Sequence, residues 1–494
     1  MLNFEIMKKI LSFLIIGLSL AACTDKLDLS PVSTKNVDGF YKTKAQFNQA
    51  IIGCYDGLQN AVLKQDYSYM LTESRSDNAW QQVDYDDGQT SRFIENSETQ
   101  VLNTAWAASY QYIARCNYVL KNLEGSTVLS EELKNQYKGE ALFIRALIYF
   151  DLVRYFGEVP IVDKVITIEE GYSIKKSTTE EVYDFIVNDL KEASELLPAV
   201  KPSQNENRAT ATAARAFLGK VYVFRCGYPL NKDEWDLAAT ELKAALDNVG
   251  KTGFFAKYSD IFLYSNEGKD QAIFSIGCKS GAEGEGNPFP TRNTPNGIYP
   301  GNDPLMIPYG GSPMQLFLDS YILGSIFDEP NDLRYKYSVQ TEWIEKSKDT
   351  IRNWPFCSKY KNGPVAAAYD WDIDYILLRY TDVYMLYAEA QYHNGYPGEA
   401  LGIINDVRRR AGLTELNLSD IDSDSKFVDV ILRERRKEFC FENQRWFDLV
   451  RTDRAFDVMK AFLKHYGADG NLTSKDQYFY PIPQRETDVT GLTK

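Results

Sequence analysis

The chain has 494 residues, 44% of them hydrophobic, enough to bury a large core in one big unit or in two or three domains. Its formal charge of −14 argues against nucleic acid or an anionic membrane face as a partner. Seven cysteines are too sparse at this length for a disulfide scaffold.

Lys8 and Lys9 precede Ile10 to Ala22, 13 residues without a charge. A bilayer-spanning helix needs roughly 20 apolar residues, so this run reads as a secretory leader. Six residues, including Glu5, precede Met7, and the leader reads more naturally from Met7. The run ends in Leu20-Ala21-Ala22-Cys23, which resembles the bacterial lipobox, whose cysteine is lipidated, becomes residue one and is acylated. Two or more acyl chains give stable anchoring where one does not. The expected layout is a signal peptide at 1–22, a lipidated tether at 23–36 and one globular unit at 37–494. The six later cysteines read as small buried thiols, with room for a disulfide or two.

From there the chain reads as helix after helix. Helical spacing of apolar residues covers Ala45–Leu63 and Val101–Leu123. Ser130 opens a long helix that Gly157 and Pro160 stop, and a capping box at Ser177–Glu180 opens another that ends at Pro198. Two more follow at Ala211–Cys226 and Asn231–Val249, the latter with a capping box at Asn231–Glu234. Leu218, Gly219 and Tyr222, then Ala238, Leu242 and Ala245, follow the large-and-small pattern of a tetratricopeptide hairpin. Leu386, Tyr387 and Ala390, then Ala400, Ile404 and Val407, repeat it. Helices pair as degenerate repeats, with an N-terminal helical part at 37–228 and a second part at 250–494.

Between Gly250 and about Asp374 helical periodicity disappears, apart from a short helix at Pro313–Leu323. The stretch 277–313 is rich in Gly, Pro and Asn and studded with aromatics, and Tyr67–Phe93 is a second loop of this kind; loops so long are functional or disordered. Trp106, Trp235 and Trp446 lie in helical patterns; Trp80, Trp343, Trp354 and Trp371 do not. Trp80 follows Asp77 and Asn78, which sets a flat aromatic face beside hydroxyl-binding side chains, the parts a sugar ring needs. Helices return after Asp374, and the chain closes on "YFYPIPQRE", read as an extended surface segment.

The carboxylates of "RERRKEFCFENQRWFDLVR" could serve a glycosidase, but the interleaved arginines lower a carboxylate's pKa and spoil a general acid. Glu434, Glu438 and Glu442 therefore read as a salt-bridge network, with Arg435 and Arg445 reaching across the same helix; Arg379, Asp382, Glu389 and Arg145 read likewise. There is no G-x-S-x-G, H-E-x-x-H or P-loop, and Gly284-Glu-Gly286 lacks a dinucleotide context, so no cofactor is called. Asp370, Asp372 and Asp374, and Asp420, Asp422 and Asp424, alternate as calcium loops do but lack the glycine and the final Glu; helix capping accounts for them, and no metal is called.

Several stretches together resemble a family. "CTDKLDLSP", "ALFIRALIYFDLVRYFGEVP", "LLRYTDVYMLYAEAQYHNG", "INDVRRRAG", "RERRKEFCFENQRWFDLVR" and "YPIP" resemble, in order, the SusD/RagB family of outer-membrane nutrient-binding lipoproteins of Bacteroidetes. The chain departs at its end, which reads "TGLTK" where the family often has a Gln-Asn…Gly-Tyr tail. The resemblance implies a mainly α fold, with tetratricopeptide-like hairpins packed against an irregular, ligand-binding half whose loop-rich insert spans 250–373. It implies a non-catalytic protein, lipidated at Cys23 on the cell exterior, that holds an oligosaccharide or other nutrient for a SusC-like TonB-dependent transporter. By position it points to Asp77, Asn78, Trp80, Asn296 and Tyr299 as glycan-binding. The rival readings are a lipid-anchored glycoside hydrolase and a protein-binding scaffold.

Overall fold

Helix spacing and end signals act locally, and the computed structural model realises most of them. It describes residues 40–64, 67–81, 86–205, 207–281, 284–294, 317–344, 350–360 and 363–492. The first six long helices are α1 (Lys44–Gln59), α2 (Gln100–Leu123), α3 (Glu131–Phe156), α4 (Thr179–Leu196), α5 (Ala211–Cys226) and α6 (Trp235–Val249). Ser130 caps α3 by accepting from the Leu133 amide, and Gly157 ends it at φ 72°, a conformation that favours glycine.

Two caps differ from expectation. The box before α4 is Thr178 with Glu181, because the Ser177 amide is taken by the Val159 carbonyl at 3.0 Å. Asn231 caps nothing: its side-chain amide donates to the Pro229 carbonyl, and α6 starts after Glu234 without a side-chain cap. The α5–α6 hairpin does cross closely. A Cβ on Gly219 would lie 2.5 Å from Leu242 Cγ, and Ala238, Leu242 and Ala245 are fully buried.

The middle is short pieces rather than bare loop. Strand β1 (Ala272–Ile276) is followed by α7 (Ser320–Ile326) and α8 (Leu333–Ser338), then β2 (Val339–Ile344), β3 (Thr350–Cys357), β4 (Val365–Ala367), β5 (Asp370–Trp371) and β6 (Tyr375–Arg379). The strands pair antiparallel, β1 with β6, β2 with β3 and β4 with β5. Asp370, Asp372 and Asp374 do not cap a helix. Asp370 accepts from the Gly281 amide, Asp372 from Tyr264 and Lys279, and Asp374 from the Cys278 amide and Asn207, so they pin the loop at 278–281. Asp420, by contrast, does close a capping box, with Asn417.

Helices resume as α9 (Tyr380–His393), α10 (Pro397–Arg410), α11 (Asp424–Phe439), α12 (Arg445–Arg451), α13 (Ala455–His465) and α14 (Gln484–Thr490). The α9–α10 pair buries Ala390, Ala400, Ile404 and Val407, the second hairpin of the pattern. The segment before α14 is not on the surface: Tyr480 is buried, its amide donating to Tyr155 and its hydroxyl to the Leu71 carbonyl. Tyrosine is mostly apolar ring, and here the core satisfies both its polar groups. Of the tryptophans, Trp106, Trp371 and Trp446 are buried, while Trp235 is partly exposed and stacks on His393. Six free thiols are present among the described residues, all but Cys278 buried. No described helix is long and apolar enough to cross a membrane.

Candidate functional site

The charged residues of α11 and α12 form a buried lattice. Glu438 accepts from Arg379 at 2.7 Å and also meets Arg410 and Arg334. Burial alone would raise its carboxyl, but these three guanidiniums hold it far below the usual carboxylate range. Glu434 pairs with Arg334 and Arg408, and Glu442 with Arg379 and Lys359. Arg435 and Arg445 do not reach across their own helix. Arg435 bridges Asp382 and Asp448, and Arg445 takes Asp77, because their side chains point inward to other elements. Arg451 with Glu389 and Arg145 with Asp189 complete the expected structural pairs.

The loop at 67–81 fills the space beside this lattice. Glu73 accepts from the amides of Phe441 and Asn443, at 2.7 and 3.0 Å, and from Asn78. Both of those amides belong to residues with left-handed backbone (φ 65° and 60°), a turn that needs an outside acceptor. Burial pushes the Glu73 carboxyl up to about 7 against those hydrogen bonds. Burial would likewise raise Asp77, but Arg436 and Arg445 outweigh it and hold its carboxyl at about 2. Asn78 accepts from Arg436 at 2.8 Å. Trp80 is only 5% exposed, not an open platform, since its ring stacks on Tyr466 with centroids 4.3 Å apart. The three residues are thus brought together, with their side chains engaged inside the protein. Asn296, Tyr299 and Cys23 lie outside the described residues.

Trp80 leads to a cavity. Its amide donates to the Phe317 carbonyl at 3.1 Å, and Phe317 begins the wall of a space of about 830 Å³ built by α7, α8 and the start of β2 and end of β3. That size suits a small-molecule site, for which ~300–1,000 Å³ is usual. Phe317, Leu323, Phe327 and Tyr335 supply its apolar surface, with Phe327 and Tyr335 edge to face at 5.1 Å. Gly324 opens it: a Cβ there would meet nothing within 4 Å.

The polar part of the wall is acidic. Asp319 caps α7 through the Ile322 amide and accepts from Tyr466 at 2.7 Å, so the Trp80 stack holds Tyr466 under it. Glu329 is bound from behind by Arg408 and Lys437. The Arg408 hydrogen bond, opposed by partial burial and reinforced by Lys437, holds its carboxyl at about 2. Asp332 is clasped by Arg334, which donates at 2.9 and 2.7 Å. Sequence reading passed over this wall. The short helix expected at Pro313–Leu323 is Ser320–Ile326 among the described residues, and the signals of a site were its N-cap Asp319 and the aromatics at 317, 321, 327 and 335, but so short a helix carries too little periodicity to show which face it turns to a cavity.

Three kinds of likeness bear on the fold. Residues 25–223 match a family model described as starch-binding, associating with the outer membrane, and residues 324–493 match the SusD family model. A SusD-like protein, P38, of Formosa agariphila is 27% identical, with 94% of this chain and 93% of that one covered. A solved laminarin-binding SusD-like protein superposes with TM-score 0.74 at 22% identity, covering 91% of this chain and 98% of that one. Surface glycan-binding protein A from Bacteroides uniformis also gives 0.74, at 22% identity, covering 90% and 98%. Among the described residues no group of three or more His, Cys, Asp or Glu side chains could hold a metal.

Proposed function

The chain belongs to the SusD/RagB family, and from that premise we propose that it is a non-catalytic glycan-binding lipoprotein of the outer membrane. On this reading it takes an oligosaccharide in the cavity around Gly324 and passes it to a SusC-like TonB-dependent transporter. The observation that carries it is the wall itself: Phe317, Phe327 and Tyr335 offer faces for the C–H side of sugar rings, and Asp319 and Glu329 offer acceptors for hydroxyls. The names of the laminarin-binding and glycan-binding relatives support the ligand class. Trp80, Asp77 and Asn78 serve the site from behind, through Tyr466 and Arg436, while Asn296 and Tyr299 remain in the reading on family resemblance alone. The signal peptide at 1–22 and tether at 23–36 belong to the same reading, which sets Cys23 at the cell exterior.

A glycosidase needs one carboxylic acid protonated near neutral pH, and Glu329 is held the opposite way, which favours binding over hydrolysis. The test is Gly324→Trp, which fills the cavity where there is room for a side chain. Calorimetry against neutral oligosaccharides should show binding in the wild type and none in the variant, with an unchanged melting temperature. Binding that persists in a folded Gly324→Trp variant sinks the assignment. Cys23→Ala should leave the protein soluble or as unprocessed precursor, read by membrane fractionation and mass.

A further inference from the structure

The layout of charge at the cavity goes beyond its being a glycan site. All the charged residues that line it among those described are acids, Asp319, Glu329 and Asp332, with no Lys, Arg or His. The cations of Glu329 stand on its far side: the Arg408 and Lys437 side chains are at most 3% exposed, whereas that of Glu329 is 31% exposed, and Asp332 is buried together with its partner Arg334. Among the described residues no cation pairs with Asp319, its two oxygens serving an amide and a tyrosine hydroxyl. A ligand entering the cavity therefore meets carboxylate oxygens in front and buried guanidiniums behind.

We propose that this cavity selects neutral glycans and rejects those carrying carboxylate or sulfate groups. The proposal rests on the glycan-binding reading above. A hydroxyl donates to an outward lone pair of Asp319 or Glu329 and gains a charge-assisted hydrogen bond. A uronate or sulfate ester group has no donor to offer there and brings like charge up against the acidic wall. The buried cations cannot turn to meet it, because each is already spent on a carboxylate and packed in the core. The discrimination is thus built as repulsion of the wrong ligand as much as attraction of the right one.

The experiment compares matched pairs by calorimetry at low salt: agarose oligosaccharides against carrageenan oligosaccharides, and mannan fragments against mannuronate fragments. The neutral member of whichever pair binds should bind about tenfold tighter or more, and the gap should narrow as salt is raised. Glu329→Gln, which removes the exposed negative charge from the wall while Arg408 and Lys437 stay buried behind it, should improve the anionic member at least about tenfold. Asp319→Asn keeps the helix cap and should narrow the gap without loss of fold. Anionic members binding as tightly as neutral ones, yet lost in Gly324→Trp, overturn the selectivity and leave the cavity reading intact. Neutral binding untouched by Gly324→Trp overturns the cavity reading and the selectivity with it.

Discussion

Two acidic regions of this molecule are built from the same residue types and face opposite ways. Around Glu438, guanidiniums approach the carboxylate from three helices and strands, and no oxygen is left for an outside partner. At Glu329, a few residues away in space through Arg408 and Glu434, the cations approach from one side and the carboxylate shows its other side to a cavity. The lesson is that composition does not separate a structural ion pair from a ligand site; direction does. A carboxylate enclosed by cations holds helices together, and one backed by cations is fixed, ionised and still able to accept.

The largest expected effect would break this comparison on the structural side. Glu438→Ala leaves three buried guanidiniums without their carboxylate and should cost about 3–5 kcal/mol by denaturant unfolding. A midpoint equal to wild type would mean that the lattice is not structural. Next comes Trp80→Ala, which empties a ring-sized space beside Tyr466 and should cost roughly 3 kcal/mol. If it melts normally and only ligand affinity falls, Trp80 is an exposed platform after all and belongs to the cavity side.

Gly219→Leu bears on the scaffold that carries both regions. With Leu242 Cγ 2.5 Å from the site of the new Cβ, overpacking should cost roughly 1–3 kcal/mol. An unshifted unfolding curve would remove the close hairpin crossing. The smallest effect sharpens the cavity side. Glu329 ionises more readily when folded than its usual value of 4.5, so the folded state binds fewer protons than the unfolded one as pH falls. Its stabilisation is therefore present above pH 4.5 and lost as pH drops through about 2. Between pH 4.5 and 2, the wild type should lose slightly more stability than Glu329→Gln. Parallel losses would show that Arg408 and Lys437 do not hold Glu329 in solution.

The sequence alone determined the elements whose causes are local. Helical spacing with Ser130 at one end and Gly157 at the other set α3 to within a residue, and Gly219 with Ala238, Leu242 and Ala245 announced a hairpin crossing. Interleaved arginines announced that Glu434, Glu438 and Glu442 are paired, since an acid among guanidiniums is an ion pair in almost any fold. The partners were another matter: Arg445 meets Asp77 from 368 positions away, and no spacing rule reaches that far. The cavity also belongs to the tertiary structure alone. Its wall comes from two short helices and strand ends whose side chains converge only when the chain is folded, and whether Glu329 faces a void or a guanidinium depends on what packs behind it. Trp80 shows the limit most plainly. One residue's polar neighbours suggested a sugar platform, and a tyrosine 386 positions later, stacked flat on the ring, put it in the core.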